Sequence, residues 1–155
     1  MAQNLKHTAT IDGCVFKRGS VSKRYSHAVI NQWDIAQART ERGLEASKNW
    51  KRNLAYFQSW VDGTCEFFAK PSYRSEEDHK RMVWESISNA KAWIALGELG
   101  HISESIEAFD DSMKNSHVSS DGKSFYGCAG WCSRLDLAQK LAARTHGHIV
   151  ATEIK

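Results

Sequence analysis

The chain contains a single proline, Pro71, in 155 residues. Proline interrupts helices and is common in loop-rich and sandwich folds, so its scarcity favours long helices. No uninterrupted apolar run reaches the roughly 18 residues of a membrane span. The N-terminal stretch MAQNLKHTAT also lacks the apolar segment of a secretion signal. These absences predict a cytoplasmic protein with no membrane partner.

Motifs of familiar catalytic chemistry are missing as well. The sequence has no Gly-x-Ser-x-Gly elbow, no Walker phosphate loop, no dinucleotide fingerprint and no His-Glu-x-x-His pair. We therefore assign no catalytic residue and expect no cofactor. An enzyme with an unrecognised site is kept as the least favoured interpretation.

Cysteine is scarce, and the four thiols are Cys14, Cys65, Cys128 and Cys132. Without an export signal we expect them to be reduced. Cys128 and Cys132, together with His146 and His148, are the candidate ligands of a tetrahedral zinc site. The His-x-His spacing is shorter than the usual separation of about three to five residues, so we predict that no metal is bound.

Charge is abundant and is separated along the chain. Residues 1–31 contain five Lys/Arg against one acid, residues 76–111 contain nine acids against three bases, and the formal net charge is only +3. Such segregation affects which partners a surface attracts and does not determine the fold. It predicts a binding protein with two oppositely charged surfaces.

The positive segment has the pattern of short strands. Residues 8–11 and 14–16 flank Asp12-Gly13, a dipeptide suited to a tight hairpin, and a strand over residues 25–30 follows a basic loop over residues 17–24. We predict a small antiparallel meander with a cationic tip. Its candidate partner-binding residues are Lys17, Arg18, Lys23, Arg24 and Tyr25. Cations suit phosphate contacts, a two-stranded ribbon suits a major groove, and Phe16 and Tyr25 suit stacking on bases.

Four helices are predicted after the meander. They begin at the caps Asp34, Ser75, Ser103 and Ser133. The first is expected to run to about Val61, with a kink or break at Gly43. The second is expected to end at Gly97 and Gly100, and the fourth at Gly147. Phe67 and Phe68 are expected to pack into the core. The inner side of the fourth helix is predicted to be Leu137, Ala138, Leu141 and Ala142.

A final strand over residues 149–154 is expected to join the N-terminal meander. The order β-β-β-α-α-α-α-β places strands at the two ends, which is typical of α+β proteins. We predict a single α+β domain over residues 1–155. In it a small antiparallel sheet packs against about four helices.

The negative segment concentrates its acids on one helix face. Glu104, Glu107 and Asp111 fall at i, i+3 and i+7 of the predicted third helix, and Asp110 widens the face. An acidic face of this kind fits a basic partner or imitates phosphates. The alternative is a face that is only solvated.

Two segments carry a resemblance to a known class. The patterns are Ile11-Asp12-Gly13-x-x-Phe16-Lys17-Arg18 with Arg24-Tyr25-Ser26-His27-Ala28-Val29, and Trp131-Cys132-Ser133-Arg134-Leu135-Asp136-Leu137-Ala138. They resemble small uncharacterised proteins encoded by bacteriophages and prophages. The resemblance implies an accessory role, such as altering a host enzyme or defence complex, and it transfers no functional residue.

We therefore predict a non-enzymatic macromolecule-binding protein of the phage accessory or counter-defence type, for example an anti-CRISPR inhibitor. Its expected partner is a host protein or nucleoprotein complex. The alternative is a small nucleic-acid-binding protein that uses the basic hairpin. The first interpretation uses both charged surfaces, and the alternative uses the basic hairpin alone.

Overall fold

The structure is a computed structural model that describes residues 4–65 and 69–155. The prediction for Phe67 and Phe68 lies outside these residues. The fold divides into two compact units. Unit 1 consists of Met1–Arg39 and Asp110–Lys155, and unit 2 consists of Thr40–Phe109. Helices and antiparallel strands are both present, which confirms the α+β class.

Unit 1 contains two antiparallel sheets. The first has the order β2-β1-β7, built from Leu5–Ile11 (β1), Cys14–Ser20 (β2) and Glu153–Ile154 (β7). The second has the order β4-β5-β3-β6, built from His27–Asp34 (β3), His117–Val118 (β4), Ser124–Cys132 (β5) and His148–Ala151 (β6). The predicted meander is therefore wrong in one respect, because β3 leaves the first sheet for the second.

The turn between β1 and β2 forms as the sequence indicates. Asp12 (φ 47°) and Gly13 (φ 76°) both have positive φ, which is what a two-residue hairpin with the right twist requires. The Asp12 carboxylate accepts hydrogen bonds from the Ser120 backbone N–H at 2.9 Å and from its hydroxyl at 2.8 Å. The tip of this hairpin is therefore tied to the turn between β4 and β5.

Strand β5 is the element that the sequence prediction missed. It pairs with β3 along its whole length, from His27 opposite Cys132 to Asp34 opposite Ser124. It contains two glycines, Gly127 and Gly130, which are unfavourable inside a strand. Both have a packing reason, since a methyl group at Gly127 would meet the Trp33 ring at 2.9 Å and one at Gly130 would meet Leu141 at 2.8 Å.

The core of unit 1 is built from apolar side chains of both sheets: Ala9, Cys14, Phe16, Ala28, Ile30 and Tyr126. The helix Leu135–Thr145 (α3) packs on β3 and β5. Its N-cap is Arg134 with no side-chain cap, so the prediction for Ser133 is wrong. Ala138 is buried as expected, whereas Leu137 is exposed.

Unit 2 is formed by most of two long helices. Ile35–Val61 (α1) is capped by the Asp34 carboxylate, which accepts the Gln37 N–H at 2.8 Å, and Glu76–Met113 (α2) is capped by the Ser75 hydroxyl. Both caps were predicted. Helix α1 is continuous through Gly43, which is buried against Ile102 and Ile106, so no break occurs there.

Helix α2 combines the second and third predicted helices. Gly97 has φ 76° and ψ 170°, so a kink occurs there, but helix follows directly and Ser103 is not a cap. Trp93 lies at the centre of an aromatic cluster. Its ring stacks on Trp50 at 4.6 Å and approaches Phe57 at 4.6 Å and His101 at 4.7 Å. This cluster packs α1 against α2 within unit 2.

Within the part of the chain that the structure describes, no helix combines the length and apolar character that crossing a bilayer requires.

A substitution at Gly147 tests how closely the segment after α3 packs against β3. A Cβ at this position would lie 2.6 Å from the Val29 Cγ1 and 2.7 Å from the Asn31 Oδ1. We expect Gly147→Ala to lower the free energy of unfolding of unit 1 by about 1–3 kcal/mol through overpacking. Urea denaturation measures this. The control Gln139→Ala, on an exposed helix position, should change stability by less than about 0.5 kcal/mol; equal effects would contradict the packing argument.

Candidate functional site

The feature that distinguishes unit 1 chemically is a group of exposed cations on and beside the first sheet. We call it the cationic surface, and its members are Lys6, Lys17, Arg18, Lys23, Arg24 and Lys155. Considering residues 4–65 and 69–155, none of these side chains has a carboxylate within the 4.0 Å of an ion pair. Their charge is therefore not neutralised by the fold.

A buried histidine connects the two segments that carry most of these cations. The His7 side chain is fully buried, with 0% exposure. Its Nε2 accepts the Tyr25 backbone N–H at 3.0 Å, so its Nδ1 carries the proton and donates to the Arg18 carbonyl at 3.3 Å. The ring is thus the neutral Nδ1–H tautomer. It fixes β2 to the connector that leads into β3.

Tyr25 organises the cations above this histidine. Its ring meets His7 edge-on at 5.2 Å, and its carbonyl accepts the Thr152 hydroxyl. The Arg18 guanidinium lies 4.8 Å and the Lys23 ammonium 5.8 Å from the Tyr25 ring centre. Both distances fall within the range of a cation–π attraction. The ring therefore holds two like charges together without cancelling them.

Two details of the predicted hairpin need correction. Lys17 and Arg18 lie in β2, and the connector carrying Lys23 and Arg24 crosses from one sheet to the other, so the cations are not at a ribbon tip that enters a groove. Phe16 and Tyr25 are each only 9% exposed, and Phe16 stacks on His117. The expected base stacking therefore has no open ring at these positions.

The first sheet presents further members of the cationic surface on its outer face. The pairs Lys6 with Gly19 and Thr8 with Lys17 alternate with the inward pairs along β1 and β2. Lys6 and Lys155 exchange both backbone hydrogen bonds, at 3.3 and 2.9 Å, so their side chains share that face. A concave region of about 550 Å³ lies here. Its lining includes Lys6, Thr8, Lys17, Arg18, Gly19 and Lys155.

The predicted acidic residues have mixed environments. Glu104 and Glu107 are exposed in unit 2, and Asp111 is exposed in unit 1. Asp111 accepts the Lys114 ammonium at 3.1 Å. Asp110 receives two hydrogen bonds from Arg39, at 3.0 and 3.2 Å, and this pairing raises the pKa of the Arg39 guanidinium. Part of the acidic face is therefore engaged by the chain's own cations.

The candidate zinc ligands are not assembled into a site. No group of three or more His, Cys, Asp or Glu side chains among the described residues is placed to hold an ion. His148 Nε2 is bonded instead to the Gln32 amide oxygen at 2.8 Å, and His146 ends α3 in the left-handed conformation. Burial raises the pKa of the Cys128 thiol, which favours its protonated form over the thiolate that zinc requires.

Comparison of the chain with protein-family models, with curated proteins and with solved structures gives no match. Its function is therefore argued from the geometry of its own residues.

Three residues of this site were not singled out from the sequence: Lys6, Lys155 and His7. Lys6 lies on the exposed face of β1, which alternates with the buried face. A predicted strand that began at residue 5, and not at residue 8, would have placed Lys6 on that face. Lys155 lies far along the chain, and only the pairing of β7 with β1 brings it beside Lys6. The role of His7 depends on backbone groups of Arg18 and Tyr25, which no sequence pattern reveals.

His7→Ala tests the buried link. We expect the substitution to lower the free energy of unfolding by about 2–4 kcal/mol, because it leaves a cavity and two buried polar groups without partners. Urea denaturation gives the total, and hydrogen exchange at the Tyr25 amide reports the local effect. Thr10→Ala, an exposed change on the same strand, is the control. Unchanged exchange at the Tyr25 amide would contradict the assignment.

Two thiols, the buried Cys14 and the half-buried Cys128, make the stability of the fold depend on pH. Burial raises the pKa of Cys14, with a further contribution from the Asp12 charge, and burial likewise raises that of Cys128. The unfolded chain then ionises first as pH rises, so this contribution to stability is complete below the ordinary thiol pKa and is lost above about pH 9. Denaturation midpoints between pH 7 and 10 should fall less for a Cys14→Ala, Cys128→Ala variant than for the native chain. Equal losses would contradict this prediction.

Proposed function

We propose that the chain is a non-enzymatic nucleic-acid-binding protein that contacts phosphates through the cationic surface of unit 1. The observation that carries the proposal is the absence of carboxylate partners for Lys6, Lys17, Arg18, Lys23 and Arg24 among the residues described. Unpaired like charges add little to the stability of a fold, whereas each of them adds to the affinity for a polyanion.

The local structure supports binding rather than general solubility. The cations are not carried on a freely moving tail, because Arg18 lies in β2 and Lys23 is held by its backbone bond to the Ser20 hydroxyl at 2.9 Å. Arg18 and Lys23 both lie on Tyr25, whose backbone is fixed by His7. Charges that are already positioned lose less conformational freedom when a partner binds.

The proposed contact reads the phosphate backbone and not the bases. Tyr25 is covered, so the surface lacks its most obvious ring for stacking, and lysine contacts to phosphate carry no sequence information. We therefore expect binding with little sequence preference. The same surface would suit a host nucleoprotein complex, which is the setting expected of a phage-type accessory or counter-defence inhibitor in the cytoplasm.

A protein partner that binds the acidic face is the second candidate. Glu104 and Glu107 are exposed, and no ion pair is found for them in the described part of the chain. These two side chains can face a basic partner, whereas Asp110 and Asp111 are already paired. Under this alternative, Glu104→Lys with Glu107→Lys removes the partner and leaves nucleic-acid affinity unchanged.

Salt dependence tests the nucleic-acid proposal. With about four phosphate contacts, affinity for a mixed-sequence duplex should fall on the order of 100-fold between 50 and 200 mM salt. Fluorescence polarisation against labelled duplex and single-stranded oligonucleotides measures this. A flat salt dependence, or no binding at low salt, would contradict the proposal.

Matched substitutions locate the contact. Lys23→Ala and Arg24→Ala should each weaken binding and reduce the salt slope by about one. Lys140→Ala removes an equally exposed lysine on α3, outside the cationic surface, and should have a smaller effect on both quantities. Equal effects of the three variants would show that only net charge matters and that this surface is not the contact.

A further inference from the structure

The outer face of the first sheet contains an arrangement that sheet stability does not explain. Lys6 and Lys155 lie directly opposite each other, since each donates its backbone N–H to the other's carbonyl. Like charges in this relation destabilise a strand pair. Lys17 lies one row along the same face, opposite Thr8. Three ammonium groups thus share one small area with no carboxylate in an ion pair with any of them, within residues 4–65 and 69–155.

This area is concave. The recess of about 550 Å³ is within the size range of small-ligand sites, which is about 300–1,000 Å³. Asn4 and Thr8 add an amide and a hydroxyl to its lining, and Arg18 borders the recess while its guanidinium lies on the inward side of the sheet, over Tyr25. Gly19 makes room for the amide, because a Cβ there would lie 3.2 Å from the Asn4 Nδ2. All the charged side chains that line the recess are positive.

One acid lies close by and outside the lining. Glu153 pairs with Thr8 in the register of β7 and β1, which places it on the same outer face. It forms no ion pair with the lysines of the described chain. Glu153 is therefore a repulsive charge beside the recess for any bound anion, which provides an internal test.

We propose that this recess binds a phosphomonoester, either the terminal phosphate of a nucleic-acid strand or that of a free nucleotide. A phosphomonoester carries a charge of about −1.5 to −2 and three terminal oxygens, whereas a phosphodiester carries a single charge. A group of neighbouring cations therefore favours the phosphomonoester. The polymer form of the proposal rests on the proposed function; the nucleotide form does not.

The base of such a ligand has little to contact. His7 borders the recess, but its ring is buried on the inward face of β1 and both ring nitrogens are engaged by Tyr25 and Arg18. We therefore expect recognition of the phosphate and indifference to the base. AMP and UMP should bind alike, and adenosine should not bind.

The test compares one short single-stranded oligonucleotide in three forms: with a 5′-phosphate, with a 3′-phosphate, and with hydroxyl groups at both ends. A terminal phosphate that gains one further charge-assisted contact should bind about tenfold more tightly than the hydroxyl form. Free AMP should compete for the phosphorylated form. Equal affinity for all three forms, with no binding of AMP, would overturn the proposal.

Substitutions separate the recess from the rest of the cationic surface. Lys6→Ala and Lys17→Ala should abolish the preference for a terminal phosphate, whereas Lys23→Ala should weaken all three forms by the same factor. Glu153→Gln should strengthen binding of the phosphorylated forms. If Lys6→Ala leaves the preference intact, the recess is not the site. Circular dichroism of each variant establishes that it is folded.

The two proposals fail in different ways. Binding of all oligonucleotides without regard to their ends supports the proposed function and overturns this inference. Binding of AMP without binding of any oligonucleotide supports the recess as a nucleotide site and contradicts the proposed function. An independent test is an NMR titration of the isotope-labelled chain with inorganic phosphate. The Thr8 and Gly19 amide resonances should shift in the native chain, and they should not shift in the Lys6→Ala variant.

Discussion

The cationic surface depends on the buried imidazole of His7, whose two hydrogen bonds fix its tautomer. The Arg18 carbonyl and the Tyr25 N–H both reach His7, one at each ring nitrogen. Because one partner only accepts and the other only donates, the ring has one usable tautomer. The two backbone segments are held at a fixed separation as a result. The positions of Arg18 and Lys23 over Tyr25 follow from that separation.

Charges are treated differently in different parts of the chain. On the helices, acids meet bases: Asp110 with Arg39, Asp111 with Lys114 and Asp78 with Arg81. On the first sheet, Lys6 lies opposite Lys155, and no ion pair with an acid is found for either among the residues described. Exposed ion pairs contribute little to stability, so this contrast has little to do with holding the fold together. The contrast instead indicates which binding partners the first sheet can attract.

Local signals in the sequence predicted local structure well. The Asp12-Gly13 turn and the caps Asp34 and Ser75 were all recognisable, because each depends on a residue type at a fixed offset. Pairings between distant segments were not, since the partner of a strand is set by the whole sheet. Strand β5 was not predicted, and its two glycines are explained only by the packing of the Trp33 ring and the Leu141 side chain against them. The site was predicted in part for the same reason: Lys17, Arg18, Lys23 and Arg24 are close in sequence, whereas Lys155 joins them only through β7.

The order of the chain constrains how unit 1 is made during synthesis. Its first segment ends at Arg39 and its second begins at Asp110, with the whole of unit 2 between them. When β3 leaves the ribosome, neither of its neighbours in the second sheet yet exists, since β5 and β6 both come from the later segment. Both edges of that strand, with Val29 and Ile30 at its centre, must therefore wait unpaired while unit 2 is translated. Unpaired apolar strands are prone to aggregate, so the nascent chain is most vulnerable to aggregation in this interval. The length of the interval is set by the time needed to translate unit 2, however fast its helices fold.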